Sequence, residues 1–361
     1  MADRPYVTVA FANRNDNYGG DLAERFRAFI AYYEMYAARF PGVFEFVICD
    51  WNPPTTAAPL RDSYPWERLG LVKHVVVPSD VHATIENPSN RPMHDYIGRN
   101  VAIRRGSGEF VLIINQDIFI SDSIMSHIGM RGLRHDCFYR ADRCDFQFEA
   151  LAGVGPGDYE RRAWETLFVV HRRQRASQDV LTSAEAHQHD VHAVGTQVET
   201  EDDFDPATNV AVSRVASLVR SDDMLRAASA AKQSAGWRKE YLADLYYRRF
   251  RLHTNAAGDF LLASREAFDQ IGGLSEATDF YMHLDSYAVM QLFAAGFHQA
   301  IYCQSNRVYH ADHDRSGRAS VKEGISWEEH ERRFSSILRG ELSYCLNGRR
   351  WGLVDHDLPS S

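Results

Sequence analysis

The stretch Phe110-Val111-Leu112-Ile113-Ile114-Asn115-Gln116-Asp117 decides the fold. Five apolar, mostly β-branched residues read as a strand buried on both faces, and the pattern then turns polar in a single step. A helix from about His94 to Arg105 feeds this strand. Further upstream, Tyr6 to Ala12, Val43 to Cys49 and Leu71 to Val77 are strands of the same kind. Between the first two, Leu22, Phe26, Phe29, Ile30, Tyr33 and Tyr36 form a helical stripe over 21–39, stopped by Pro41-Gly42. Strands alternating with helices predict right-handed crossovers and an α/β fold on a mainly parallel, mixed sheet flanked by helices.

In such sheets ligands sit beyond the carboxyl ends of the strands. Those ends are Asn13-Arg14-Asn15-Asp16, Asp50-Trp51-Asn52 and Asn115-Gln116-Asp117, so three polar clusters should meet at one rim. Asn115 and Asp117 are two apart and share a side; they suit either a strand-closing turn or a cation shared with a diphosphate. Asn100 and Arg104, spaced i, i+4 with Ile97 and Val101 on the same stripe, need a buried partner. A phosphate, a nucleobase, or the carboxylates of Asp50 or Glu109 would serve. In His283-Leu284-Asp285-Ser286, Asp285 is either a helix cap or a general base. His310 and His313 follow the last apolar strand; a histidine there is usually satisfied by packing, and His310 gains interest as a cation ligand only where its strand lies beside Asp117.

The remainder divides less sharply. Residues 178–209 are acidic and polar, and His187, His189 and His192 there read as a solvated loop. Ser221 to Phe250 looks helical. Gly258 to Ala263 reads as a strand, Ser264 as an N-cap and Gly272-Gly273 as a helix stop. A helix over about Ser286–Ala295, a strand Gln299–Cys303, a helix Trp327–Leu338 and a polar tail complete the chain. The expected units are 1–130, an insertion 131–250, a returning half 251–320 and an extension 321–361.

With 361 residues, 45% apolar and 25% charged, the chain is an ordinary globular one. Forty Lys and Arg against forty-nine Asp and Glu leave −9, which argues against broad nucleic-acid or anionic-membrane binding. No apolar run is long enough to span a bilayer, and the start lacks the apolar core of a secretory signal. Five scattered cysteines without a CxxC pair read as reduced thiols, so a cytoplasmic protein is expected. GxxxxGK[ST], GxSxG and HExxH are all missing, which counts against P-loop kinases, hydrolases and zinc proteases.

Taken in order, Asn13 to Gly20, Asp50 to Pro54, Arg99 to Arg105, Asn115 to Phe119, Thr254 to Phe260, His283 to Ser286 and Tyr309 to His313 resemble the GT-A glycosyltransferases, specifically bacterial members of glycosyltransferase family 2. The resemblance covers about 1–130 and 250–320. It implies a Rossmann-like GT-A sheet with a helical insertion and a C-terminal extension, and an inverting, metal-dependent transfer of sugar to a glycan, lipid-linked or small-molecule hydroxyl acceptor. The donor implied is a nucleotide sugar, UDP favoured, with Mn²⁺ or Mg²⁺ as cofactor. By the same resemblance Asp117 and His310 would hold the ion, and Asn13, Arg14, Asn15, Asp50, Asn100, Arg104 and Asn115 the nucleotide. Gly258, Asp259 and His283 would line the sugar and acceptor pocket, and Asp285 would be the catalytic base. Asn115 departs from the family's DxD motif, removing one negative charge. Two other readings stand beside this one: a non-catalytic nucleotide-sugar-binding module, and a nucleotidyltransferase, disfavoured because the first loop is Asn/Asp-rich rather than Gly-rich and basic.

Overall fold

The computed structural model describes residues 4–171, 198–200, 252–278, 283–313, 327–338 and 340–361. The chain runs β1 (Val7–Asn13), α1 (Leu22–Arg39), β2 (Phe44–Trp51), α2 (Leu60–Ser63), β3 (Leu71–Val77), α3 (Ser79–Ala83), α4 (Asp95–Arg105) and β4 (Phe110–Ile113). It continues through β5 (Ile118–Ile120), α5 (Asp122–Gly129), β6 (Cys137–Gln147), α6 (Tyr159–Thr166), β7 (Leu167–His171) and β8 (Val198–Thr200). After these come β9 (Leu261–Ser264), α7 (Arg265–Ile271), α8 (Leu284–Ala294), β10 (His298–Asp312) and α9 (Trp327–Leu338). The expected helix over Ser221–Phe250 and the histidines 187, 189 and 192 lie outside the described residues.

One sheet carries the order β3-β2-β1-β4-β9-β6-β10-β5, with β7 on β6 and β8 on β10. Its longest ladders, β1–β2, β2–β3 and β6–β10, are parallel. Antiparallel pairings arise where β9 slots between β4 and β6 and where β5, β7 and β8 add to β10 and β6. Both expected halves therefore share one sheet.

Alternation along β1 sorts the two cores. Val7, Val9 and Phe11 face one layer with Phe26 and Phe29 of α1, and Ala10 and Ala12 face the other, with α4, α7 and α8. The small side chains on the second face let α4 press close. A Cβ on Gly98 would stand 2.7 Å from that of Ala12, so glycine is what this contact permits. Ser264 caps α7 through its hydroxyl, which accepts from the Ala267 N–H at 3.2 Å, and Gly272 ends the helix in the left-handed region.

Two expectations change. Strand β10 runs to Asp312 rather than stopping at Cys303, which carries His310 into the sheet. Strand β6 stands where no strand was read. The polar tail is bound to the domain: Arg105 donates to the carbonyls of Gly352 (2.7 Å), Leu353 (2.9 Å) and His356 (3.2 Å), and Trp351 is buried. Ser361 exchanges backbone hydrogen bonds with His74 of β3.

Candidate functional site

The polar residues after β4 and at the end of β10 meet because His310 pairs with Ile118 across the β10–β5 ladder and the Ala311 N–H donates to the Asp117 carbonyl. Asp117 is 3% exposed. Its Oδ2 lies 3.2 Å from His313 Nε2 and 3.8 Å from His310 Nε2, and it accepts from Arg25 Nη1 at 3.2 Å. Its Oδ1 is buried with no hydrogen-bond partner. One ligand atom from each of Asp117, His310 and His313 lies within 4.8 Å of the others. A carboxylate and two imidazoles are a normal donor set for a divalent transition ion, and an unmatched buried oxygen is what such an ion would satisfy. The residues fit a metal. Burial pushes the Asp117 carboxyl up, but His310, His313 and Arg25 outweigh it and hold it well below the usual carboxylate range.

Each of these groups has support behind it. Asp145 Oδ1 faces the other nitrogen of His310, Nδ1, at 3.4 Å, the outer carboxylate–imidazole arrangement that orients a ligating ring. Arg143 and His171 in turn hold Asp145, at 2.8 and 3.1 Å. Arg25 is fully buried in α1, with Asp21 (2.8 Å) and the Tyr18 carbonyl as further partners. The loop before α1 closes over this corner. Gly19 (φ +81°) approaches so near that a Cβ there would stand 2.6 Å from Arg25 Nη2 and 2.7 Å from His313 Nδ1.

The same loop borders a cavity of about 540 Å³, lined by Arg14, Asn15, Pro54 and Tyr64 among others, beyond the ends of β1 and β2. Arg14 reaches the Asn52 carbonyl (2.8 Å) and Asp16 (2.8 Å), and Asn15 donates to the Ala58 carbonyl (2.7 Å). Asn13 Oδ1 accepts from the Arg14 N–H. Asp50 is buried; one oxygen accepts from the Leu60 N–H at 2.9 Å and the other has no partner, and burial raises its pKa.

The other rim is built around Asp285. Its Oδ2 accepts from the Gly258 N–H at 2.9 Å and its Oδ1 from the Ser286 N–H at 2.9 Å. The cap position of α8 is His283, in the left-handed region, so Asp285 sits in the first turn instead of capping it. Arg99 donates to the Gly258 carbonyl and, at 2.6 Å, to Asn115 Oδ1; Asn115 Nδ2 donates to Asp259 Oδ1 at 2.7 Å. Arg143 then joins Asp259 to Asp145. A continuous run of polar contacts thus leads from Asp285 to Asp117.

No protein-family model matches the chain, and no curated protein matches it. A solved structure of GalNAc-T7 with UDP, GalNAc and Mn²⁺ does align. It shares 10% identity over 93% of this chain and 48% of that one, with a TM-score of 0.44. The chain spans about half the length of that structure.

Three sequence candidates stand apart from this network. Asn100 spends its amide on the Leu274 backbone (2.7 and 2.8 Å) and Glu276 (2.8 Å), and so ties α4 to 274–276. Arg104 lies over the Trp351 ring at 4.7 Å. The i, i+4 stripe finds protein partners, the 274–276 segment for Asn100 and the tail for half-buried Arg104. The ring of His283 rests on that of His330, 4.9 Å away.

Sequence reasoning missed Arg25, Arg99, Arg143 and Asp145, and left His313 without a role. Signals existed for three. Arg25 is a lone cation three residues after Leu22 on the apolar stripe, and Arg143 and Asp145 are i, i+2, one face of a strand. Among the described residues no helix is long and apolar enough to cross a membrane.

Proposed function

We propose that this chain is a GT-A-type glycosyltransferase that moves a sugar from a nucleotide diphosphate sugar, a UDP-sugar favoured, to an acceptor hydroxyl with inversion, in the cytoplasm. The observation that carries the reading is the Asp117–His310–His313 cluster, with its unmatched carboxylate oxygen, joined by polar contacts to Asp285 at the strand ends of an α/β sheet. Asp117, His310 and His313 would hold Mn²⁺ or Mg²⁺, which when bound offsets the charge developing on the departing diphosphate.

The protein's own groups supply the rest. A cavity of about 540 Å³ with Arg14, Asn15 and Tyr64 as its wall would accommodate a nucleoside, and buried Asp50, one oxygen of which has no partner, would contact it from the end of β2. Asn13 supports Arg14 from behind. Gly258 and Asp259 border the sugar. Asp285, its two oxygens each fixed by one backbone N–H, keeps lone pairs free to take the acceptor hydroxyl proton as oxygen attacks the anomeric carbon. Attack from the face opposite the diphosphate is one displacement and inverts the anomeric centre.

The test pairs binding with turnover. UDP-sugars should raise the melting temperature only with Mn²⁺ present, and slow donor hydrolysis should follow. Asp285→Asn should lose transfer by at least about 10³-fold while donor affinity stays within about twofold. Donor binding with no turnover in the parent protein would instead make it a sugar-nucleotide-binding module.

A further inference from the structure

We infer that Asn115 is not a cation ligand but the connector that holds the Asp285 side of the site in register with the Asp117 side. The inference rests on the reading above. Asn115 Oδ1 accepts from Arg99 Nη2 at 2.6 Å, and its Nδ2 donates to Asp259 Oδ1 at 2.7 Å. A short side chain that accepts at one tip and donates from the other is an amide; a carboxylate only accepts. On the Arg99 side, the Gly258 carbonyl and N–H lead to Asp285 Oδ2 at 2.9 Å. On the Asp259 side, Arg143 leads to Asp145, which faces His310.

The geometry also opposes a role in holding the ion. The Asn115 oxygen is turned toward the Arg99 guanidinium, a charge that repels any cation placed there. An aspartate in its place would set a carboxylate oxygen about 2.7 Å from that of Asp259 with no N–H between them, a like-charge contact where a hydrogen bond now stands. What reads in the sequence as half of a two-carboxylate ion site is therefore a different device. One carboxylate and two imidazoles form the ion site, and the amide two residues earlier spans its neighbours.

The two roles predict opposite signs for one substitution. In the full chain, titration calorimetry with MnCl₂ alone is run on the parent protein, Asn115→Asp, Asp259→Asn and the exchange variant Asn115→Asp/Asp259→Asn, with melting curves for each. A connector predicts that Asn115→Asp weakens Mn²⁺ on the order of tenfold, as removal of outer support for a ligand does. It also predicts a lower melting temperature for that variant. The exchange variant, in which the donor and acceptor trade places across the same contact, should recover at least half of both losses. Tighter Mn²⁺ binding by Asn115→Asp, or an exchange variant no better than the single one, overturns the inference. If the parent protein binds no Mn²⁺, the proposed function falls, and the connector is judged by melting alone: recovery on exchange upholds it, and no recovery removes it.

Discussion

Gly19 and Gly20 are adjacent, with φ of +81° and +83°, but only one of them has close neighbours. An alanine at either position must adopt a left-handed backbone, at a cost of about 1–2 kcal/mol. At Gly20 the new methyl meets nothing within 4 Å, so that cost should be the whole effect. At Gly19 it would stand 2.6 Å from Arg25 Nη2 and 2.7 Å from His313 Nδ1. Arg25 has no room to yield, being fully buried with Asp21, Asp117 and the Tyr18 carbonyl as partners. Overpacking of this kind adds about 1–3 kcal/mol. Gly19→Ala should therefore lose about 2–5 kcal/mol in urea denaturation, against about 1–2 kcal/mol for Gly20→Ala. Displacing His313 should also weaken Mn²⁺ in calorimetry, by about tenfold for each 1.4 kcal/mol of misplacement, while Gly20→Ala leaves it unchanged. Equal losses in the two variants, or full Mn²⁺ affinity in Gly19→Ala, would refute the close-approach account of this loop.

Burial holds His74 and His94 at about 4 and His330 at about 3, below the ordinary 6.5. Between pH 6.5 and about 4 the unfolded chain thus binds protons that the folded one refuses. Stability should be full well above pH 6.5 and fall by about 2 kcal/mol per histidine by pH 5, read from urea midpoints across that range; a flat profile would contradict it. Arg105→Ala leaves three carbonyls of the tail without their guanidinium and should cost about 2–4 kcal/mol, with hydrogen exchange at 350–361 accelerating more than at β1; uniform acceleration would argue against a local strap.

The parts of this fold legible in sequence are those where burial alone sets the pattern. β1 and β2 are buried throughout and lie within two residues of their apolar runs, and α1 and α9 follow their stripes to within a residue. The strand ends at Asn13, Asp50 and Asn115 were visible as polar breaks for the same reason. β6 escaped notice because Arg140, Asp142, Arg143 and Asp145 interrupt its apolar residues. Two of those charges, Arg143 and Asp145, are members of the site, so the chemistry itself erased the strand signal. The Asn100–Arg104 stripe shows the converse. Its periodicity revealed that polar groups there need partners, and only coordinates reveal that these are the 274–276 segment for Asn100 and the tail's Trp351 for Arg104.

The position of β9 bears on how the molecule is made. β4 has β1 on one side and β9 on the other, and roughly 150 residues separate β4 from β9 along the chain. At 5–20 residues per second, a ribosome leaves the outer edge of β4 bare for on the order of 10–30 s. During that interval an apolar strand with unpaired backbone groups is open to pairing with another nascent copy. Yield of native protein should thus depend on synthesis speed and on chaperones that shield strands, more than the finished sheet, with β4 sealed on both sides, would suggest.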